Sequence, residues 1–241
     1  MPSRKFPRHR ESFDQRQRKN GERLAVMKKY LEEGTLPPTL SSIFHQEQTF
    51  SDIGLFSIGE FNRIDTPVEL IRLMQKHGMY ASATVLFTKT FGEWIGNRRL
   101  LDPLAGRGWL AKGLREQGVD LIATDDASWI KKHHTFLTEV EIMDALDSVK
   151  KYAEEVDVVL FSWAPSGKLL WKLVKEVHKR NPNAVMVFLS EPQPEVSGND
   201  KFYKRTTLTI PEHFREVHAA YETQGFLHDC PYIITIKPEY M

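Results

Sequence analysis

Acidic and glycine residues in one short stretch of the chain are spaced in a way that suits binding of a nucleotide-like ligand. Asp102 stands four residues before Gly106, and Gly108 follows. Further along, Asp125 and Asp126 are adjacent. Glycine lets a backbone turn approach a ligand closely because it has no side chain. A carboxylate at the end of the next strand can accept hydrogen bonds from both ribose hydroxyls, so the pattern predicts a site for a ribose-containing ligand.

The elements that would position these residues are indicated by apolar runs and glycine turns. We predict a buried strand from Arg99 to Leu101, a helix from about Trp109 to Gln117 and a second strand from Asp120 to Thr124. A strand, a glycine turn, a helix and a strand ending in an acid form half of a nucleotide-binding α/β unit. The residues above fall at the turns of this unit, where a ligand would bind.

Two kinds of ligand fit such a unit. Gly106, Gly108 and Ala111 satisfy the G-x-G-x-x-G/A fingerprint, in which the helix N-terminus carries the pyrophosphate of a dinucleotide such as NAD. Asp102 favours another ligand, because a carboxylate at the mouth of the turn would repel a pyrophosphate and attract a cationic amino acid. S-adenosylmethionine has an ammonium, a sulfonium, a ribose and an adenine, but no phosphate. An NAD-dependent oxidoreductase stays open as the less favoured alternative.

The stretch from Leu100 to Ser166 resembles the Rossmann-like class I S-adenosylmethionine-dependent methyltransferases, whose first motif is an acid followed by x-x-x-G-x-G. The resemblance implies S-adenosylmethionine as the cofactor. By the same resemblance, Asp102 and the backbone from Ala105 to Gly108 would hold its methionine end. The ribose would be bound by Asp125, with Asp126 beside it.

The third strand leads to the residues that the resemblance assigns to the adenine. We predict this strand from Thr138 to Ile142. In the family, an acid followed by a small residue after this strand contacts the adenine amino group. Asp144 and Ala145 are the matching residues, so both are expected to bind the cofactor.

The fourth strand leads to the residues expected to act in methyl transfer. The run from Asp157 to Ser162 is apolar and rich in β-formers, as in a central strand covered on both faces. Amino-directed methyltransferases often carry Asp/Asn/Ser-Pro-Pro-aromatic at its end. This chain keeps one proline, Pro165, and lacks the aromatic residue after it. We expect Ser162, Trp163 and Pro165 to shape the acceptor pocket. The departure from the motif keeps a non-catalytic binding module as an alternative to a methyltransferase.

A long loop and the C-terminal segment complete the prediction. The loop from Glu191 to Arg205 is a candidate substrate gate, and Glu191 is a candidate general base. We expect Phe226 to Asp229 and Tyr232 to Ile236 to form an antiparallel pair of final strands, as the resemblance implies. The predicted fold is therefore α/β, a doubly wound and mostly parallel sheet of the seven-stranded type, with an N-terminal helical extension.

Composition places the chain among ordinary folded proteins. Its 241 residues are 41% hydrophobic and 27% charged, with a formal net charge of +1. Cys230 is the single cysteine, which excludes an internal disulfide and a cysteine-built metal site and fits a reducing compartment. No apolar run approaches the length that spans a membrane. We therefore expect a cytoplasmic protein that binds neither metal nor membrane; its methyl acceptor is left unknown.

The N-terminal region has a different composition. Residues 1–60 are predicted to be a basic, largely disordered arm and linker, because basic residues crowd the segment from Met1 to Arg23 and few apolar ones interrupt them. Such an arm could contact an anionic partner. Residues 61–241 are expected to form the methyltransferase-like domain, including helices that cover its N-terminal side.

Overall fold

The structure, a computed structural model, describes residues 13–44, 68–129, 135–224 and 227–240. In these residues a seven-stranded sheet is flanked by helices on both faces. The strands are β1 Leu100–Asp102, β2 Leu121–Asp125, β3 Glu141–Ile142, β4 Val158–Ser162, β5 Val185–Ser190, β6 Thr206–Thr209 and β7 Cys230–Ile236. The helices are α1 Phe13–Glu33, α2 Leu40–Ile43, α3 Val68–Lys76, α4 Val85–Ile95, α5 Trp109–Glu116, α6 Ala145–Tyr152, α7 Leu169–Arg180, α8 Asp200–Arg205 and α9 Arg215–Ala220.

The order of the strands is β3-β2-β1-β4-β5-β7-β6. Strands β1 to β5 pair in parallel, whereas β7 runs antiparallel to both β5 and β6. The predicted doubly wound, mostly parallel sheet is therefore confirmed. Because the order reverses at β1, the ends of β1 and β4 diverge and leave room for a ligand between them.

Strand β4 shows why its sequence is apolar at every position. Val158 and Leu160 pack into the core beneath α4 and α5, while Val159 and Phe161 pack into the core beneath α6 and α7. All four side chains are fully buried. Since successive side chains of a strand point to opposite faces, a strand covered on both sides must be apolar throughout.

Strand β3 is shorter than the sequence predicts. It contains only Glu141 and Ile142, because side-chain and loop contacts bind the residues before it. The Arg115 guanidinium donates hydrogen bonds to Thr138 Oγ1 and to the carbonyl oxygen of Glu139. These bonds tie the segment before β3 to α5.

The predicted pairing of the last two strands is wrong. Strand β7 pairs with β6, which follows α8, and not with residues 227–229; Phe226 lies outside the described residues. Pro231 falls between the two segments predicted to be strands, but it lies inside β7 opposite Leu189 of β5. On its other side β6 has already ended, since Thr209 pairs with Ile233. Proline has no N–H to donate and is tolerated where one side of the strand has no partner.

The prediction of disorder for the N-terminal region is wrong over α1 and α2. Met27, Leu31 and Leu40 are fully buried in the core to which α3, α4 and α5 also contribute. A few apolar residues dock a segment that is otherwise polar, because they meet an apolar surface that the sequence pattern did not reveal. Residues 1–12 and 45–67 of the predicted arm, linker and helix start lie outside the described residues. None of the helices within the described ranges is long and apolar enough to cross a membrane.

Candidate functional site

A cleft of about 360 Å³ opens at the carboxyl ends of the parallel strands. This is the edge at which open α/β sheets bind their ligands. Most of the residues that the sequence predicted for the site line this cleft, and they lie at the carboxyl ends of β2 and β4 or in the segments that follow β1 to β4. They are Ala105, Gly106, Asp125, Asp126, Asp144, Ala145, Ser162, Trp163 and Pro165.

The two glycines of the turn after β1 have different roles. Gly106 lines the cleft at φ +55°, and a Cβ there would meet no atom within 4 Å, so the backbone at this point is open to a ligand. Gly108 is not a lining residue. A Cβ on Gly108 would lie 3.1 Å from Thr138 Cγ2 and 3.2 Å from Val140 Cγ2. Its lack of a side chain therefore serves the packing of the segment before β3.

Asp125 is buried at the end of β2 and already accepts several hydrogen bonds. Its Oδ2 accepts from the backbone N–H of Gly106 at 2.8 Å. Its Oδ1 accepts from the N–H of Ala127 at 2.9 Å and from Trp129 Nε1 at 2.7 Å. A carboxylate has about four acceptor positions, so one remains on Oδ2 for a hydroxyl of a ligand. Asp126 beside it is exposed, and its Oδ1 accepts from Ser128 N at 2.9 Å.

Asp102 lies beneath the glycine turn and does not line the cleft. It is 1% exposed, and its Oδ1 accepts a hydrogen bond from Leu104 N at 3.2 Å. Burial, with a smaller contribution from the negative charge of Asp125, raises the pKa of Asp102 to about 7. A positive charge placed nearby would favour the ionised form of Asp102.

Asp144 has a structural role that the sequence did not reveal. Its Oδ1 accepts from Leu146 N at 2.8 Å and from Asp147 N at 3.3 Å, so the residue caps the N-terminus of α6. The cap holds the carboxylate at the rim of the cleft, beside Ala145.

The charged residues that line the cleft are all acidic. Three aspartates and no lysine, arginine or histidine occur among the described residues that line it. Arg107, within the glycine turn, donates to the carbonyl oxygens of Thr135 at 3.0 Å and His77 at 3.2 Å. Its guanidinium is thereby held by the backbone and is not among the lining groups. A cationic ligand is favoured in such a cleft, and a dianionic pyrophosphate is disfavoured.

The loop after β4 places an aromatic side chain at the cleft in an uncommon backbone conformation. Trp163 has a φ of +48°, which a bulky residue rarely adopts, and its N–H donates to Leu189 O at 2.9 Å. Its ring lies 6.3 Å from that of Tyr80, at an angle of 47°. Ser197 Oγ donates to Ala164 O at 2.7 Å and ties this loop to the one after β5. The two rings form an aromatic wall on the side of the cleft next to Pro165.

Comparison with known proteins adds two solved structures. No protein-family model and no curated protein sequence matches the chain. A SAM-dependent methyltransferase from Archaeoglobus fulgidus is 15% identical over 71% of this chain and 100% of that chain, with a TM-score of 0.43. A protein from Listeria monocytogenes, described as a class I S-adenosylmethionine-dependent methyltransferase, is 16% identical over 90% of this chain and 68% of that chain, with a TM-score of 0.36.

The fold is identified from the sheet, which has five parallel strands and an antiparallel β7 inserted between β5 and β6. The fold is doubly wound α/β with a mostly parallel seven-stranded sheet. In this fold, the cleft described above lies between the ends of β1 and β4, where the strand order reverses.

Glu191 does not lie where a general base for the cleft would be expected. Glu191 is buried after β5 and does not line the cleft. Its Oε1 accepts from Gln193 Nε2 at 2.9 Å, and its Oε2 accepts from His228 N at 2.6 Å. The carboxylate therefore holds two loops together. The predicted gate from Glu191 to Arg205 also contains α8 and is partly helical.

Sequence reasoning missed the segment that covers the cleft from the N-terminal side. Gly78, Tyr80 and Ala81, after α3, all line the cleft. His77 O accepts a hydrogen bond from Trp109 Nε1 at 3.0 Å, which anchors this segment to α5. The glycine that ends the helix was the one available signal, and it indicated a turn but no contact with a distant loop.

The described residues contain no candidate metal site. Within those residues, no group of three histidine, cysteine, aspartate or glutamate side chains could hold a metal ion. The adjacent His133 and His134 lie outside the described residues.

Proposed function

We propose that this protein binds S-adenosylmethionine and transfers its methyl group to an acceptor. The observation that supports this proposal best is the acidic lining of the cleft, in which Asp125, Asp126 and Asp144 have no basic counterpart among the described lining residues. S-adenosylmethionine carries two positive charges and one carboxylate, so its net charge complements the cleft. The pyrophosphate of NAD would be repelled there.

The residues of the cleft fit the parts of this cofactor. The open backbone at Gly106 and the buried Asp102 behind it would hold the methionine end, and the remaining acceptor position on Asp125 Oδ2 would take a ribose hydroxyl. Asp144 and Ala145 would lie beside the adenine. These assignments follow from the resemblance and from the donors and acceptors that the cleft offers.

The bound cofactor would supply an electrophilic methyl group, and the chain would supply alignment. Holding donor and acceptor in a productive geometry accounts for most of the acceleration of such a transfer. Ser162, Trp163 and Pro165, with Tyr80 beside Trp163, line the part of the cleft that would position the acceptor. A base is needed only for an acceptor that must lose a proton.

Isothermal titration with S-adenosylmethionine, S-adenosylhomocysteine and NAD tests the proposal. We expect the first two to bind with micromolar or tighter affinity and NAD not to bind. Binding of NAD in preference to S-adenosylmethionine would overturn the cofactor assignment. If S-adenosylmethionine binds but no methyl transfer occurs to a broad panel of nucleic-acid, protein and small-molecule acceptors, a non-catalytic binding module is the better description.

A further inference from the structure

The outer face of α7 carries a row of lysines that begins beside the cleft. Lys168 immediately precedes the helix, and Lys172, Lys175 and Lys179 follow at intervals of four, three and four residues. Because an α-helix has 3.6 residues per turn, this spacing places all four side chains within a sector of about 60°. All four residues are exposed. We term these four residues the lysine stripe.

The lysine stripe has no acidic partners within the described residues. The only acid of α7 is Glu176, and its carboxylate accepts from Arg180 Nε at 2.7 Å. No lysine of the stripe forms an ion pair with any residue that the structure describes. By contrast, the exposed Lys28, Lys89 and Lys151 each pair with a glutamate. The stripe is therefore a surface of uncompensated positive charge, which attracts anions.

Helix α8 lies against α7 and adds to this charge. The guanidinium of Arg205 packs over the ring of Trp171, at 5.3 Å from the ring centroid. Trp171 lies one helical turn before Lys175, so Arg205 is held beside the stripe. Residues 168–180 and 200–205 contain eight lysine and arginine residues and two acids, whereas the whole chain has a net charge of +1. Positive charge is thus concentrated on this face of the molecule.

The lysine stripe begins where the cleft opens. Lys168 lies between Pro165 and Leu169, which both line the cleft. The charged residues among the described lining groups are all aspartates, so two neighbouring surfaces have opposite charge. An anionic chain would be held on the stripe and kept out of the cleft, whereas an uncharged group attached to that chain could enter the cleft. A nucleic acid has this construction, because its backbone phosphates are charged and its bases are not.

The geometry of the stripe favours a nucleic acid over a membrane surface. A helix that lies on a membrane presents an exposed apolar face. The apolar side of α7 is buried in the core, and none of the large exposed hydrophobic residues of the described ranges belongs to α7 or α8. At 1.5 Å per residue the stripe is about 16 Å long. A DNA strand with one charge per 3.4 Å presents about five phosphates over that length.

We propose that the lysine stripe binds the phosphate backbone of a nucleic acid strand, and that a base of this strand is the methyl acceptor. Lys168 would hold the phosphate nearest to the cleft, and the other lysines would hold those further along. The base would stack on Tyr80, which lines the cleft and is 47% exposed. Binding of nucleic acid is independent of the proposed function; the assignment of a base as acceptor rests on that function.

Fluorescence anisotropy of a short fluorescein-labelled oligonucleotide, titrated with the full chain, tests the binding surface. The oligonucleotide is supplied as single-stranded DNA, duplex DNA or single-stranded RNA. The stripe variant combines Lys172→Ala, Lys175→Ala and Lys179→Ala. We expect the wild type to bind at least one of the three forms, and the stripe variant to have a Kd about tenfold to a hundredfold higher at low salt. The slope of log K against log salt should become shallower by about 2–3, since three phosphate contacts are lost.

A control variant combines Lys28→Ala, Lys29→Ala and Lys89→Ala and loses the same charge. These lysines lie on α1 and α4, on the other side of the sheet, and each pairs with a glutamate one turn further along its helix. The control variant should bind the oligonucleotide as the wild type does. Both variants should keep the melting temperature of the wild type, because exposed lysines contribute little to stability.

Three results would overturn the lysine stripe as a nucleic-acid surface. The first is that none of the three oligonucleotides binds. The second is an equal loss of affinity in the stripe and control variants, which would mean that net charge alone attracts the oligonucleotide. The third is that polyglutamate or vesicles of anionic lipid displace the labelled oligonucleotide as well as unlabelled oligonucleotide does. These titrations contain no S-adenosylmethionine, so their failure is distinct from a failure of the cofactor to bind.

Transfer of a tritiated methyl group from S-adenosylmethionine to the oligonucleotide tests the assignment of a base as acceptor. We expect the wild type to label the oligonucleotide. The stripe variant should show a higher KM for the oligonucleotide with an unchanged kcat, because the stripe holds the backbone and not the reacting base. If the oligonucleotide binds through the stripe but takes up no methyl group, the surface stands and the assignment of the acceptor falls.

Discussion

The Asp125 carboxylate accepts a hydrogen bond from the Gly106 backbone N–H at 2.8 Å, and this bond joins the end of β2 to the turn after β1. One residue thereby shapes the turn that would receive the methionine end of the cofactor and offers an acceptor to the ribose. The residue that the sequence singles out as a ligand is thus also part of the scaffold of the site. Substitutions at Asp125 should affect both roles.

Asp125→Ala should weaken S-adenosylmethionine binding by about 1–3 kcal/mol, because a ribose hydroxyl and the Gly106 N–H both lose an acceptor. Isothermal titration measures this effect. Asp147→Ala is a control of the same charge change: Asp147 is exposed on α6 and does not line the cleft. Equal affinities of the Asp125 variant and the wild type would contradict the ribose assignment.

The buried Asp102 predicts a pH dependence of stability. Its pKa is raised to about 7 by burial, from 3.8 in the unfolded chain, so the folded state binds the proton more tightly. The stability that this provides is present below about pH 4 and is lost as the pH rises through about 7. In Asp102→Asn this loss, on the order of 4 kcal/mol, should disappear.

Chemical denaturation of wild type and Asp102→Asn across this pH range measures the difference. The comparison is needed because burial also raises the pKa of Asp229 to about 7, and that effect is common to both proteins. Parallel curves for the two proteins would show that Asp102 does not titrate in this range. In the wild type, S-adenosylmethionine should bind more tightly above pH 7, where Asp102 is ionised.

Trp163 should affect methyl transfer much more than cofactor affinity. Removing its ring in Trp163→Gly takes away one side of the aromatic wall, and misalignment of the acceptor costs about a hundredfold in rate. Glycine accepts the φ of +48° without strain. Trp163→Gly should therefore be more stable than Trp163→Ala by about 1 kcal/mol. Methyl-transfer assays and thermal melts of both variants test this, and undiminished transfer would refute the role in the acceptor pocket.

Helix α1 should contribute to the stability of the whole fold. Leu31 is fully buried, so Leu31→Ala should lower the free energy of unfolding by about 2–5 kcal/mol. Lys28→Ala is the control on the same helix, since its side chain is 57% exposed and its ion pair with Glu32 is worth little. A Leu31→Ala protein as stable as the wild type would mean that α1 does not pack against the core in solution.

The local pattern of residues is enough to predict the centre of this fold. The apolar run of β4, the glycines around Gly106 and the acid Asp125 each have a local meaning. A buried strand needs apolar side chains on both faces, and a tight turn needs glycine. These requirements act over a few residues, so the strand–turn–helix–strand unit and most of the cleft residues could be read without coordinates.

Contacts between distant segments were decided by the tertiary structure alone. Packing between distant segments buries Asp102 beneath the turn, brings Gly108 against Thr138 and places Tyr80 beside Trp163. The pairing of β6 with β7 has the same origin. Which two strands pair depends on the packing of the whole sheet and not on the β-propensity of either segment alone. Each of these features depends on residues far apart in the chain, whose meeting is set by the packing of the whole sheet and not by any local pattern.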